Sequence, residues 1–211
     1  LGEVIRDDPQ KAIETSSSKI TCTSSAMLSY TLGSLHFQEG NNEEAIQHFN
    51  VALSKFPDFL RAHKNLGIVL VREGRYEGAI EPLVKTINLG GADGTTYGLL
   101  GFSYLNTEKY QSAMMAYQNA MLLDADTQDW KLGMIKCKIA DEEFSDAVRL
   151  LDDILEKQPQ SVSLWALQGN VLLQMEQPER AAVNFEILRK SGKATLQHLM
   201  LLGDIYMLKD A

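Results

Sequence analysis

Ala45-Ile-Gln-His-Phe49-Asn-Val-Ala52-Leu-Ser-Lys-Phe-Pro57 and Tyr97-Gly-Leu-Leu100-Gly101-Phe-Ser-Tyr104 are the two stretches on which the fold turns. In each, small or apolar residues recur every three or four positions, the spacing of one face of an α-helix. From Ala45 an alanine returns every 34 residues, at Ala79, Ala113, Ala147 and Ala181. Glycines keep the same step at Gly33, Gly67, Gly101, Gly169 and Gly203, with Ile135 in the missing place. Two further tracks run in phase: Phe49, Leu83, Tyr117, Leu151 and Phe185, and Ala52, Thr86, Ala120, Ile154 and Leu188. Four tracks in one register define a repeat, and a period of this length marks a stacked array of small units.

Inside one unit, residues 94–127, the pattern divides in two. Tyr97, Leu100, Gly101 and Tyr104 share one helical face. After Asn106-Thr107, the residues Tyr110, Ala113, Met114, Tyr117, Ala120 and Met121 share another. Each unit is therefore expected to be two short amphipathic helices joined by a tight turn. Glu39-Gly40-Asn41 and Glu73-Gly74-Arg75 carry a glycine where a helix stops. Asn42-Glu43-Glu44 and Asp141-Glu142-Glu143 place a cap and acidic residues where the next helix dipole favours them. Pro57 and Pro159 close second helices, and Gly90-Gly91 replaces that proline at another junction.

These residues resemble the tetratricopeptide repeat, whose pattern is W-x₂-L-G-x₂-Y, then A-x₃-F, then P. Residues 97–104 match its first half with Tyr97 in the tryptophan place, and residues 45–57 match its second half. The resemblance covers residues 26–211. It implies an all-α fold, an α-solenoid of 34-residue helix-turn-helix repeats forming a right-handed superhelix. The register gives full units at 26–59, 60–93, 94–127, 128–161 and 162–195, all in one solenoid domain. Residues 196–211 supply the first helix of a truncated unit, and 1–25 a degenerate partial one. Unit 128–161 is irregular, because Ile135 replaces glycine on a helix that also carries Trp130 and Met134. Leu1 at the start predicts a missing upstream segment. The apolar run Leu199, Met200, Leu201, Leu202, Ile205, Met207 and Leu208 lacks a polar outer face, which predicts continuation beyond 211 or a partner there, including self-association.

Composition narrows the chemistry. Of 211 residues 45% are hydrophobic and 23% charged, ordinary for a folded, water-soluble chain. The formal net charge of −8 repels a phosphate backbone, so nucleic acid is not an expected partner. No apolar run is long enough to enter and span a membrane. Cys22 and Cys137 stand in different units without a CxxC, so neither a disulfide nor a metal site is expected. His36, His48, His63 and His198 have no companion ligand at a metal-binding spacing. The pairs Glu142-Glu143 and Asp152-Asp153 read as caps or a solvated face, and most of the eight methionines as core. Phosphate-loop, zinc-protease and nucleophile-elbow motifs are missing too. The reading is a non-enzyme without cofactor or metal.

In the resembled family the first helix of each unit lines an inner, concave groove, and that is where a protein or peptide partner is expected. The groove-facing places are Met27, Tyr30, Ser34 and Phe37; Arg61, Lys64, Ile68 and Arg72; Thr95, Gly98, Phe102 and Asn106; Asp129, Leu132 and Lys136; and Ser163, Ala166 and Asn170. Arg61, Lys64 and Arg72 share a helical face, and Lys136 is a further cation that could join them. With Tyr30, Phe37 and Phe102 alongside, they form a basic spot suited to an acidic and apolar peptide, though snorkelling surface side chains explain them equally. Some family members grip chaperone termini through Lys, Asn, Asn, Lys and Arg. Here Tyr30, Ser34, Thr95 and Leu99 stand in four of those places and only Asn65 agrees. The expected function is an interaction scaffold. The alternative is the recognition region of a larger multidomain enzyme or sensor.

Overall fold

The computed structural model describes residues 26–209. Among the described residues there are eleven helices and no strand: α1 (Ala26–Gln38), α2 (Asn42–Lys55), α3 (Leu60–Arg72), α4 (Tyr76–Asn88), α5 (Gly94–Asn106), α6 (Tyr110–Leu123), α7 (Gln128–Ala140), α8 (Phe144–Lys157), α9 (Val162–Gln174), α10 (Pro178–Lys190) and α11 (Leu196–Lys209). First helices start 34 residues apart from Ala26 to Leu196, and second helices do the same from Asn42 to Pro178. The step persists through α7 despite Ile135. The partial unit expected over 1–25, and Cys22 within it, lies outside the described residues.

The described residues fall into two compact units, the first ending at Gly133 and the second beginning at Met134. The first is built on a core of Phe49, Leu66, Val69, Leu70, Leu83 and Leu100. The second is built on Val148, Val171, Leu172, Phe185, Leu188 and Leu202.

The glycine track explains how each hairpin closes. A Cβ added at Gly33 would come within 2.8 Å of the Phe49 ring, at Gly67 within 2.7 Å of Leu83, at Gly101 within 3.0 Å of Tyr117, and at Gly169 within 2.8 Å of Phe185. The aromatic track thus rests on the glycine of its own unit, where the two helices meet. Tyr117 does more: a Cβ at Gly133 would lie 2.2 Å from the hydroxyl end of its ring. That off-register glycine keeps the first helix of the irregular unit against Tyr117. Ile135 itself is fully buried. The alanines at 45, 79, 113, 147 and 181 are all fully buried as well, leaving room for nothing larger at the crossing.

Turns between first and second helices share one geometry. Gly40 and Gly74 take φ of +80° and +71°, and the next residues donate back, Asn41 N to His36 O at 2.9 Å and Arg75 N to Leu70 O at 2.9 Å. In the three later turns Glu108, Glu142 and Glu176 occupy the same place at φ 59°, 61° and 56°. A left-handed backbone costs an L-residue roughly 1–2 kcal/mol, so these turns are held against local preference by the helices they join.

The expected caps at Asn42 and Asp141 are not formed. The capping positions are Asn41 and Glu143, and neither makes a side-chain bond to its helix. Their ψ values, 71° and 55°, fall short of the extended backbone that turns a side chain toward the helix start. Asn42 Nδ2 instead donates to Glu73 Oε1 at 2.5 Å. Asp93, with φ −139° and ψ 169°, does cap α5, accepting from Thr96 N and Thr96 Oγ1 at 2.7 Å each. Glu43 and Glu44 still lie in the first turn of α2, and the second helices are tied together from there. Arg75 Nη1 reaches Glu43 Oε2 at 3.1 Å, and Lys109 Nζ reaches Glu77 Oε1 at 2.9 Å.

Two substitutions separate these effects. Gly33→Val should cost about 1–3 kcal/mol in urea unfolding through overpacking against Phe49. Gly203→Val, in the same register but with nothing within 4 Å, should stay within about 0.5 kcal/mol. Glu108→Gly should raise stability by about 0.5–1 kcal/mol by relieving the positive φ.

Candidate functional site

The residues expected to face the groove divide into packed and open ones. Tyr30 is half-buried, its ring 5.9 Å from Phe49 and 4.9 Å from Phe59, and its hydroxyl accepts from Asn65 Nδ2 at 3.3 Å. Ser34 turns its hydroxyl back to Tyr30 O at 3.0 Å. Ile68 is half-buried and Arg61 is exposed. Arg72 is exposed and lays its guanidinium over the Phe37 ring, 5.0 Å from the centroid. Phe102 is exposed and meets Tyr76 edge-on at 5.4 Å, while Asn106 Nδ2 donates to Phe102 O at 2.7 Å. Gly98 is closed by Trp130, whose ring would lie 2.1 Å from an added Cβ. Its place is a packing joint and not open groove. In the second unit Lys136 and Asn170 are each exposed.

The basic spot is smaller in charge than the residue types alone imply. Lys64 pairs with Asp93, the residue that caps α5. Burial opposes ionisation of Asp93, but hydrogen bonds from Lys64 and Thr96 outweigh it and hold the carboxyl below its ordinary value. Arg61 makes no ion pair among the described residues. Arg61 and Arg72 are therefore the cations on α3 left for a ligand.

Among the described residues no group of three or more His, Cys, Asp or Glu is placed to hold a metal ion. The histidines have other contacts. His36 and His48 stack at 5.2 Å. His63 Nε2 bonds Pro57 O at 2.7 Å, and His198 stacks on Phe185 at 5.8 Å. Cys137 is buried, and burial pushes its thiol up to about 11, so it is a poor nucleophile. Among the described residues no helix is long and apolar enough to cross a membrane.

A polar network in the second unit escaped the periodic reading. Gln168 and Asn184 are buried; Asn184 Nδ2 donates to Gln168 Oε1 at 2.9 Å, and Gln168 Nε2 donates to Asp152 Oδ1 at 2.6 Å. Their in-phase placement on α9 and α10 was the signal: polar residues at positions where a helical face is otherwise apolar.

Models of the tetratricopeptide repeat match residues 30–87 and 104–171, together more than half of the chain. The chain belongs to the tetratricopeptide repeat family. A Hsp70-Hsp90 organizing protein of Triticum aestivum is 30% identical over 108 residues, covering 51% of this chain and 19% of that protein. The Phagocyte signaling-impaired protein of Drosophila pseudoobscura pseudoobscura is 24% identical over 147 residues, 69% of this chain and 15% of that one. This tetratricopeptide chain thus spans less than a fifth of either relative. Among solved structures, YrrB, a tetratricopeptide protein described as having an unusual peptide-binding site, superposes with TM-score 0.70 at 17% identity over 97% of this chain and 99% of that one. MamA superposes with TM-score 0.72 at 20% identity over 80% and 92%. At such identities these structures speak for the fold.

The stacked histidines give the first hairpin an acid response. Burial first, then the neighbouring His36, lowers the pKa of His48 below its ordinary 6.5, against an opposing pull from Glu44. The unfolded chain then binds the proton more readily than the folded one, so stability falls as pH drops from 6.5 toward the folded value. Melting temperatures measured from pH 7.5 to 5 should decline, and His48→Gln should flatten that decline.

Proposed function

We propose that the chain is a non-catalytic interaction scaffold that holds an acidic, partly apolar peptide segment of a partner protein along the first helices of its N-terminal compact unit. The observation that carries the reading is Arg72 placed over the half-buried ring of Phe37, with Arg61, which makes no ion pair among the described residues, on the same face at the other end of α3. An arginine already held over a ring loses little freedom when it forks onto a carboxylate, and the ring edge remains for an apolar contact. Ser34, Ile68 and Asn106 extend the strip; Tyr30 and Lys64 shape it from beneath through Asn65 and Asp93. Lys136 and Asn170 are exposed candidates in the second unit. Similarity to Hsp70-Hsp90 organizing proteins favours a protein ligand. A clamp for a chaperone terminus is not favoured, since Tyr30, Ser34, Thr95 and Leu99 place no cation where that clamp needs one.

A second surface belongs to α11, where Leu196, Met200, Met207 and Leu208 are all more than 60% exposed. Their exposure supports self-association through this helix.

Arg61→Glu with Arg72→Glu should weaken capture of a partner by about tenfold or more while helical circular dichroism and melting stay level. Unchanged capture would remove the α3 site. Lys64 is left intact in this test because its pairing with Asp93 supports α5. Sedimentation velocity over a wide concentration range should show reversible association, lost with Met200→Lys and Met207→Lys; a monomer at every concentration would exclude the second surface.

A further inference from the structure

The face between α2 and α4 belongs to neither surface described above. A cavity of about 770 Å³ opens there over Ile46, Leu53, Leu66 and Leu70. A second, of about 740 Å³, continues from it and shares Leu53, His63, Glu77 and Glu81. Together they make a groove with an apolar floor and a polar wall supplied by α4.

That wall has an unusual construction. Gly78 lies inside α4, where glycine weakens a helix. Yet a Cβ there would meet nothing within 4 Å, and its φ is not positive. Neither packing nor backbone geometry calls for glycine at this position. Four residues on, Pro82 stands within the same helix. Proline has no N–H, so the Gly78 carbonyl loses its regular helical donor. Both residues line the cavity. Gly78 is exposed, and no side chain of its own shields that acceptor.

Glu81 stands one turn from Gly78 on the same side of α4. It is exposed and makes no hydrogen bond or ion pair among the described residues. The other charges on the rim are already matched: Arg75 with Glu43, Glu77 with Lys109, and Lys85 with Asp58. The groove therefore presents one carboxylate without an ion pair among the described residues and one carbonyl without its regular helical donor, above an apolar floor. Both are acceptors, and they are close enough in sequence to serve a single forked donor.

We propose that the α2–α4 groove is a second docking surface, for a partner segment whose apolar side chains flank an arginine. The apolar side chains cover Ile46, Leu53, Leu66 and Leu70. The guanidinium divides its planar donors between the Glu81 carboxylate and the Gly78 carbonyl. Glycine at 78 lets the partner's main chain come close to α4. This surface uses other residues and the opposite ligand charge from the Arg61 and Arg72 site, so either can fail without the other.

The test uses a short blocked peptide with leucines on both sides of one arginine, and a twin carrying neutral citrulline in its place. Each is titrated into the isotope-labelled full chain while backbone amide shifts are followed. The arginine peptide should move the signals of Leu53, His63, Gly78 and Glu81, and the citrulline twin should bind about tenfold more weakly. Glu81→Gln should bring the two peptides to equal, weak affinity. Gly78→Leu should abolish binding by filling the groove, with the melting temperature level or raised, since the added side chain enters open space and favours the helix. If Gly78→Leu does not fold, the exposed Glu81→Gln change still decides. The proposal is overturned if the arginine peptide does not bind, if the twins bind equally to the native chain, if the shifts map elsewhere, or if folded Gly78→Leu binds as the native chain does.

Discussion

In four hairpins a ring or a branched side chain lies directly on the Cα of a glycine sixteen residues earlier, at distances that leave no space for one more carbon. That contact sets how closely the two helices approach, and the approach in turn buries the alanine of the second helix completely. Everything beyond depends on it. The turn must return within three residues, which forces a left-handed backbone even where the sequence supplies glutamate. The next hairpin can then add to a flat, well-packed face. Where the register glycine is lost, at Ile135, the 34-residue step persists, and the bare backbone on that helix, Gly133, meets Tyr117 of the preceding hairpin.

Periodicity made most of this legible. A residue's phase within 34 tells whether it faces its partner helix, so the glycine, alanine and aromatic tracks could be assigned without coordinates. Caps were less accessible, because a capping bond depends on ψ as well as on residue type. Asn41 and Glu143 have suitable atoms but insufficiently extended backbones, while Asp93 has both the atom and the extended backbone. Phase did not tell which glycine the aromatic track would meet: Phe49 and Phe185 lie on the glycine of their own repeat, while Tyr117 meets both Gly101 of its own and Gly133 of the next.

The candidate groove shows the same division. Phase placed Arg61, Lys64 and Arg72 on one face of α3. It could not say which of them remained free, since Lys64 finds Asp93 29 residues away in a loop that carries no periodic signal. Gly98 was misread for a related reason: a glycine at a groove position looks like open space, but here it receives Trp130 from the next unit. Gln168 and Asn184 left a trace, polar residues on otherwise apolar faces, but their pairing depends on two side chains meeting across helices.

The ion pairs along the second helices have a consequence for how such a chain can change length. Glu43 meets Arg75 and Glu77 meets Lys109, both at an offset of 32 residues. Excising residues 60–93 brings Lys109 into the place of Arg75, opposite Glu43, with sign and spacing preserved. It also joins α2 to α5 at the phase that α3 had occupied. Loss of that one repeat therefore keeps opposite charges at the new junction, whereas loss of residues 94–127 would bring Glu143 into the place of Lys109, opposite Glu77, and set like charges together. These two pairs thus make the repeats unequal as units of gain and loss, although their helices start in the same phase.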